Sequence, residues 1–122
     1  MYEYKAKVIN VLDGDTIDVE VDLGFNIKVK KRLRLLGIDT PEIFHPSCPE
    51  EKKLGLGAKS FVESLVVNNS GTIRTVKNET DKYGRYLADF IVDVTEFGKN
   101  VSISELLTAN GYEKHESWKI KK

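Results

Sequence analysis

The chain has 122 residues, 40% hydrophobic and 31% charged, which describes one ordinary globular domain spanning residues 1–122 and burying roughly two thirds of its unfolded surface. Lysine plus arginine and aspartate plus glutamate each number 19, so the formal charge is zero and any phosphate binding must come from a local patch. The single Cys48 excludes an internal disulfide. No N-terminal apolar run reads as a signal peptide and no stretch is long enough to span a membrane, so a cytoplasmic or processed secreted form is expected.

Residues 4–12 read as a first strand, ended by the turn signal Asp13-Gly14-Asp15. From Thr16 to Leu23 the alternation is clean, with Ile17, Val19, Val21 and Leu23 on one face and Thr16, Asp18, Glu20 and Asp22 on the other. Gly24-Phe25-Asn26 turns the chain into a third strand, Ile27 to Leu36, with Lys28, Lys30, Arg32 and Arg34 on one face. Lys31 breaks that alternation in the manner of a bulge. A loop with Pro41, Pro46 and Pro49 follows. The spacing of Ala58, Phe61, Val62, Leu65 and Val66 predicts a helix from about Leu56 to Val67. Thr72 to Lys77 and Arg85 to Val94 read as strands around a polar loop, and Thr95 to Lys99 as a turn. Ser102 and Glu105 fit a capping box for a second helix closed by Gly111, and the basic tail beyond it is expected to fray. Five antiparallel strands with a helix between the third and fourth predict an α+β, mainly β fold: a five-stranded Greek-key barrel of the OB type with two to three helices.

Three polar clusters fall at strand ends or in loops. In Asp13-Gly14-Asp15-Thr16, paired carboxylates in a tight turn suit a hard divalent cation, although alone the segment reads as an Asp-Gly hairpin turn. An EF-hand is excluded, because its next ligand position is Ile17. Between Arg34 and Glu42 stand a cation with a fork suited to phosphate, a hard oxygen ligand at Asp39 and a candidate general base at Glu42. Pro41 stiffens that turn and holds Thr40 extended. Taken one at a time these are a surface charge and solvated loop acids; together they suggest phosphodiester chemistry. In Thr80-Asp81-Lys82-Tyr83-Gly84-Arg85, an arginine beside a glycine, a lysine and an aromatic could clamp a phosphate and stack a base. Alone this cluster reads as a type I turn opening a strand. Cys48 reads as an incidental loop thiol and His45 as an exposed loop histidine.

With Asp13-Gly14-Asp15-Thr16, then Arg34-Leu35-Leu36 and Asp39-Thr40-Pro41-Glu42, then Asp81-Lys82-Tyr83-Gly84-Arg85, nearly the whole chain resembles the staphylococcal nuclease (thermonuclease) family. The resemblance implies an OB-type barrel that hydrolyses DNA and RNA with Ca²⁺, endonucleolytically and leaving 3′-phosphate ends. It implies Asp15 and Asp39 as Ca²⁺ ligands, the Thr40 carbonyl as a third and Asp13 as a nearby acid. Glu42 falls on the family's proposed general base and Arg34 and Arg85 on its phosphate-binding arginines; Lys82 and Tyr83 match positions near the nucleotide. The pattern departs after the second helix, where the family's type protein has nucleotide-lining tyrosines and this chain runs from Tyr112 through Trp118 to Lys122. OB barrels bind single strands on such a basic face as Lys28 to Arg34, so single-stranded or locally melted DNA and RNA are the expected partners, with no membrane and a monomeric state. A catalytically weak or inactive nucleic-acid-binding module within a larger assembly is the alternative; a purely structural interaction domain ranks third. The competent residue type at every motif position favours the enzyme.

Overall fold

A computed structural model describes residues 2–66, 70–80, 86–94 and 98–115. The elements run β1 (Tyr2–Asp13), β2 (Thr16–Asp22), β3 (Lys28–Leu35), α1 (Pro49–Val66), β4 (Ser70–Thr80), β5 (Tyr86–Val94), β6 (Gly98–Ser102) and α2 (Ile103–Ala109). The sheet order is β3-β2-β1-β4-β5-β6, and a parallel pairing of β3 with β5 closes the first five strands into a barrel. That seam is short, Leu33 against Tyr86 to Leu35 against Ala88, and the Leu36 N–H extends it by donating to the Ala88 carbonyl at 2.9 Å. The five-stranded barrel with two helices matches the expected OB-type architecture.

The alternation read in β2 is the physical origin of the core. Ile17, Val19 and Val21 are buried, as are Leu33 and Leu35 of β3, Ile73 of β4, and Ala88, Phe90 and Val92 of β5. The helices add Ala58, Val62 and Leu65 from α1 and Ile103 and Leu107 from α2. Each fully buried Val, Leu or Ile contributes about 1.5–3 kcal/mol relative to exposure, so these faces account for why the sheet curls around them. Leu23 was expected with the β2 core face, but it lies past the strand end and is exposed.

Three expectations need correction. The β2–β3 register runs unbroken from Thr16 against Arg34 to Asp22 against Lys28, so Lys31 marks no bulge. Lys31 instead turns toward the barrel mouth, its ammonium 5.4 Å from the centre of the Tyr86 ring. The register shifts fall in β1, between Val8 and Asn10 and between Val11 and Asp13. Helix α1 begins at Pro49, seven residues before the expected Leu56. Pro49 suits a first helical position, and Glu50 and Glu51 complement the positive end of the helix dipole. The buried face there is Glu51 and Gly55, which no apolar periodicity registers. Finally, β6 extends the sheet where only the turn to Lys99 was expected. Its single apolar residue, Val101, gives no pattern; it is a strand because the free edge of β5 offers partners, pairing Ile91 with Ser102 and Val92 with Val101.

Helix α2 forms as its ends predict. The Ser102 hydroxyl accepts the Glu105 N–H at the start. At the end Gly111 takes a φ of 81°, and the N–H groups of Tyr112 and Gly111 bond the carbonyls of Leu107 and Thr108. Among the described residues no helix is long and apolar enough to cross a membrane.

Candidate active site

The β2–β3 ladder places the first two polar clusters side by side. Thr16 pairs with Arg34, and the Leu35 N–H continues the ladder by donating to the Asp15 carbonyl at 2.8 Å. Arg34 therefore emerges next to Asp15 although 18 intervening residues separate them in sequence. The turn before β2 is pinned from inside: the Asp15 N–H donates to Asp13 Oδ1 at 3.1 Å. Gly14 is required by close approach, since a Cβ there would lie 2.8 Å from Ala58 Cβ and from Thr40 Cγ2. The Asp-Gly pair is thus the point where β1, α1 and the Asp39–Glu42 turn meet.

Asp15 is buried at 7% exposure and holds that turn. Its Oδ2 accepts the Thr40 N–H at 3.0 Å, its Oδ1 accepts the Thr16 hydroxyl at 3.1 Å, and Arg34 Nη2 stands 3.4 Å from Oδ2. Burial alone would raise its pKa; the hydrogen bond with Asp13, the Arg34 charge and the Thr40 N–H outweigh burial and keep Asp15 ionised below its ordinary range. Asp13 shows the opposite balance. Burial, then the hydrogen bond with Asp15 and the Asp15 charge, push its pKa up to about 7.

Arg34 is fixed by its own backbone neighbourhood. Nη1 donates to the Leu35 carbonyl at 2.9 Å and to the Ile38 carbonyl at 2.7 Å, while Nη2 reaches Asp39 Oδ1 at 3.1 Å. One guanidinium thus spans Asp15 and Asp39, the two carboxylates that the family resemblance brings together. Asp39 keeps half of its side chain exposed, at 51%, so the cluster opens to solvent on that side. Thr40 is buried, and its hydroxyl has no hydrogen-bond partner among the described residues. Glu42 is half-buried one residue beyond the fully buried Pro41. His45 is exposed, as expected.

Asp13, Asp15, Arg34, Asp39 and Thr40 are therefore gathered at one end of the barrel, and Glu42 follows two residues after Thr40 with its backbone N–H held by Glu51. Lys82, Tyr83, Arg85 and Trp118 lie outside the described residues. Tyr86, the first residue of β5, pairs with Leu33, the residue before Arg34.

The basic face looks different in three dimensions than in sequence. Arg32 stands opposite Asp18, Lys30 opposite Glu20 and Lys28 opposite Asp22. The first pair closes into a two-pronged ion pair, with Nε to Oδ1 at 2.8 Å and Nη2 to Oδ2 at 3.2 Å. The acidic and basic faces read separately in β2 and β3 are one charge-balanced surface, and Arg34, opposite Thr16, is the cation of that row left facing the carboxylates.

The sequence reading missed Glu51 and Lys114. Glu51 is fully buried, and its carboxylate accepts the N–H groups of Glu42 at 2.9 Å and Ser47 at 2.6 Å. Lys114 Nζ lies 3.5 Å from the same carboxylate, and the Lys114 N–H donates to the Asp39 carbonyl at 2.6 Å. An acid in the first turn of a helix ordinarily signals only the dipole, so nothing in the sequence marked it.

A closed five-stranded barrel of this topology is an OB-type fold, and here it carries an acid–arginine cluster at its strand ends. The staphylococcal nuclease homologue family model matches residues 32–122, and the chain belongs to that family. It is 34% identical over 110 residues to a thermonuclease of Staphylococcus hyicus, covering 90% of this chain and 62% of the relative. A thermonuclease of Staphylococcus intermedius is 30% identical over 113 residues, covering 93% and 64%. An uncharacterized protein of Methanocaldococcus jannaschii is 36% identical over 127 residues, covering 89% and 58%. The chain spans about three fifths of the length of the two thermonucleases.

Proposed function

We propose that the chain is a Ca²⁺-dependent phosphodiesterase that cleaves single-stranded or locally melted DNA and RNA endonucleolytically, leaving 3′-phosphate ends. The observation that carries this is the junction of Asp15, Arg34 and Asp39, with Nη2 of Arg34 3.4 Å from one carboxylate and 3.1 Å from the other. Family membership supports the same reaction class.

The donor set fits a hard cation. Asp15 is ionised, Asp39 is solvent-accessible, and Thr40, tied by its N–H to Asp15, carries a backbone carbonyl that is a third hard oxygen of the same turn. Among the described residues no three acidic, histidine or cysteine side chains gather into a group that could hold a metal ion, so the ion would rest on two carboxylates and a backbone carbonyl. Asp15, Asp39 and the Thr40 carbonyl would hold Ca²⁺. When bound, the ion supplies charge neutralisation and polarises water.

The chain's own groups do the rest. Arg34 is held through Nη1 by two backbone carbonyls, while its Nη2 lies against Asp15 and Asp39; Nε, and Nη2 once a cation takes up those carboxylates, would reach an equatorial phosphate oxygen, and Arg85 would grip the same phosphate. Each such donor is worth about 10²–10³ in rate. Glu42 would take the proton of the attacking water, worth about 10²–10⁴. Asp13 would act behind Asp15, and Lys82 and Tyr83 would contact the nucleotide. Guanidinium does not release protons at neutral pH, so the leaving oxygen takes its proton from water.

The test is cleavage of single-stranded DNA with Ca²⁺, against a chelator control and the Glu42→Gln variant, followed by end analysis of the products. Ca²⁺-dependent cleavage leaving 3′-phosphates, lost with the chelator and slowed in the variant, is expected. Binding without cleavage by the unmodified chain would sink the enzymatic reading in favour of a binding module.

A further inference from the structure

We propose that Glu51 is the positioning residue for Glu42, acting as a buried latch that fixes the Asp39–Ser47 turn against α1. The inference rests on the reading of Glu42 as the base.

Between β3 and α1 the chain carries no helix or strand from Leu36 to Cys48. Ordering such a loop costs backbone entropy at every residue, so a side chain held to useful accuracy needs anchors. Glu51 supplies two. Its Oε2 takes the N–H of Glu42 itself, and its Oε1 takes the N–H of Ser47. The residues between them form a short arch tied at both feet to one carboxylate.

Lys114 locks the other side. Its ammonium faces Glu51 while its N–H holds the Asp39 carbonyl. The segment after α2, the metal-side Asp39 and the base-side Glu42 are thereby joined through one buried ion pair. The contact has no slack. A Cβ on Gly55, one helical turn after Glu51, would lie 2.7 Å from the Pro41 carbonyl oxygen and 3.2 Å from that of Glu42. Burial pushes the Glu51 carboxyl up, but the Ser47 and Glu42 N–H groups and the Lys114 charge outweigh it and keep it ionised. A neutral amide in its place has one acceptor for two N–H donors, and its NH₂ group meets the second donor. A displacement of about 1 Å at a catalytic group costs up to about 10²-fold in rate.

The test is a double-mutant cycle in single-turnover cleavage of single-stranded DNA, enzyme in excess with Ca²⁺, at a temperature where circular dichroism shows each variant folded. Glu51→Gln is expected to slow cleavage about 10–100-fold with half-saturation by DNA changed less than about twofold. In the Glu42→Gln background the same change is expected to cost less than about threefold, because the group it positions is already gone. Lys114→Met, which keeps both backbone hydrogen bonds, is expected to show the same non-additivity with a smaller loss and serves if Glu51→Gln does not fold. An unchanged rate, or a loss that multiplies equally in both backgrounds, overturns the inference. If Glu42→Gln itself keeps the parental rate, the base assignment fails instead. The latch is then judged by hydrogen exchange: faster exchange of the Glu42 and Ser47 amides in Glu51→Gln supports it, and unchanged protection refutes it.

Discussion

Gly55→Ala tests how tightly α1 is seated on the Asp39–Ser47 turn. In a helix interior, alanine ordinarily beats glycine by about 1 kcal/mol. At Gly55 the new methyl would stand 2.7 Å from the Pro41 carbonyl oxygen and 3.0 Å from Ile43 Cγ1, and the nearest of these is backbone, which cannot swing aside. Overpacking of this kind costs about 1–3 kcal/mol, so the net change is a loss of up to about 2 kcal/mol. For 122 residues, 1 kcal/mol corresponds to about 4 °C in Tm. A Tm lowered by up to about 8 °C is therefore expected. Cleavage should slow more than this stability loss explains, because the displaced atoms belong to Pro41 and Glu42. Gly57→Ala is the internal control. Its methyl would meet only Tyr112 Cε1 at 3.4 Å, an ordinary contact, so the helix preference should show through as a gain of up to about 1 kcal/mol. Thermal and urea unfolding of the two variants beside the parent measure both signs. A Gly55→Ala protein that melts above the parent and cleaves at its rate would refute the tight seating of α1.

Other consequences follow from particular contacts. Glu51 has its carboxyl pKa lowered from 4.5 in the fold, so between the two values the unfolded chain binds more protons and stability rises with pH. The contribution is full above 4.5 and is lost as pH falls through the lower folded value; melting curves across acid pH should show the gap between parent and Glu51→Gln closing there, and a gap constant with pH contradicts this. Replacing Lys28 and Lys30 together by alanine should change the KM for single-stranded DNA less than about twofold, since Asp22 and Glu20 stand opposite them; a large rise would show that this face tracks the substrate after all. Phe25 sits at the β2–β3 hairpin tip with φ 56° and 97% exposure. Phe25→Gly should raise stability by about 1 kcal/mol, read as a higher urea midpoint, because a left-handed residue without Cβ carries no penalty; a lower midpoint would show that the ring makes an attachment the fold needs.

The parts of the fold legible in the sequence are those whose signal is local. Ile17, Val19 and Val21 alternate because one face of β2 is core, and Ala58, Val62 and Leu65 recur at helical spacing for the same reason. Ser102 and Gly111 announce the ends of α2 through their own backbone needs. The start of α1 was not legible, because its buried face there consists of a carboxylate and a glycine. Strand β6 was not legible either, because only the edge of β5 makes those residues a strand.

The sequence by itself determined which groups this protein has for chemistry: two acids flanking Gly14, an arginine before a stiff Asp-Thr-Pro-Glu turn, and a barrel pattern to carry them. Tertiary structure decided what each group is next to. Strand register set Arg34 beside Asp15 while it set Lys28, Lys30 and Arg32 opposite acids, so only some of a run of cations faces the site. Folding of α1 onto the turn made Glu51 a ligand of the Glu42 backbone, a role that exists only once three segments meet. Local propensity is written in neighbouring residues, but charge compensation and burial depend on pairs distant in the chain, and those pairs are chosen by the closed barrel.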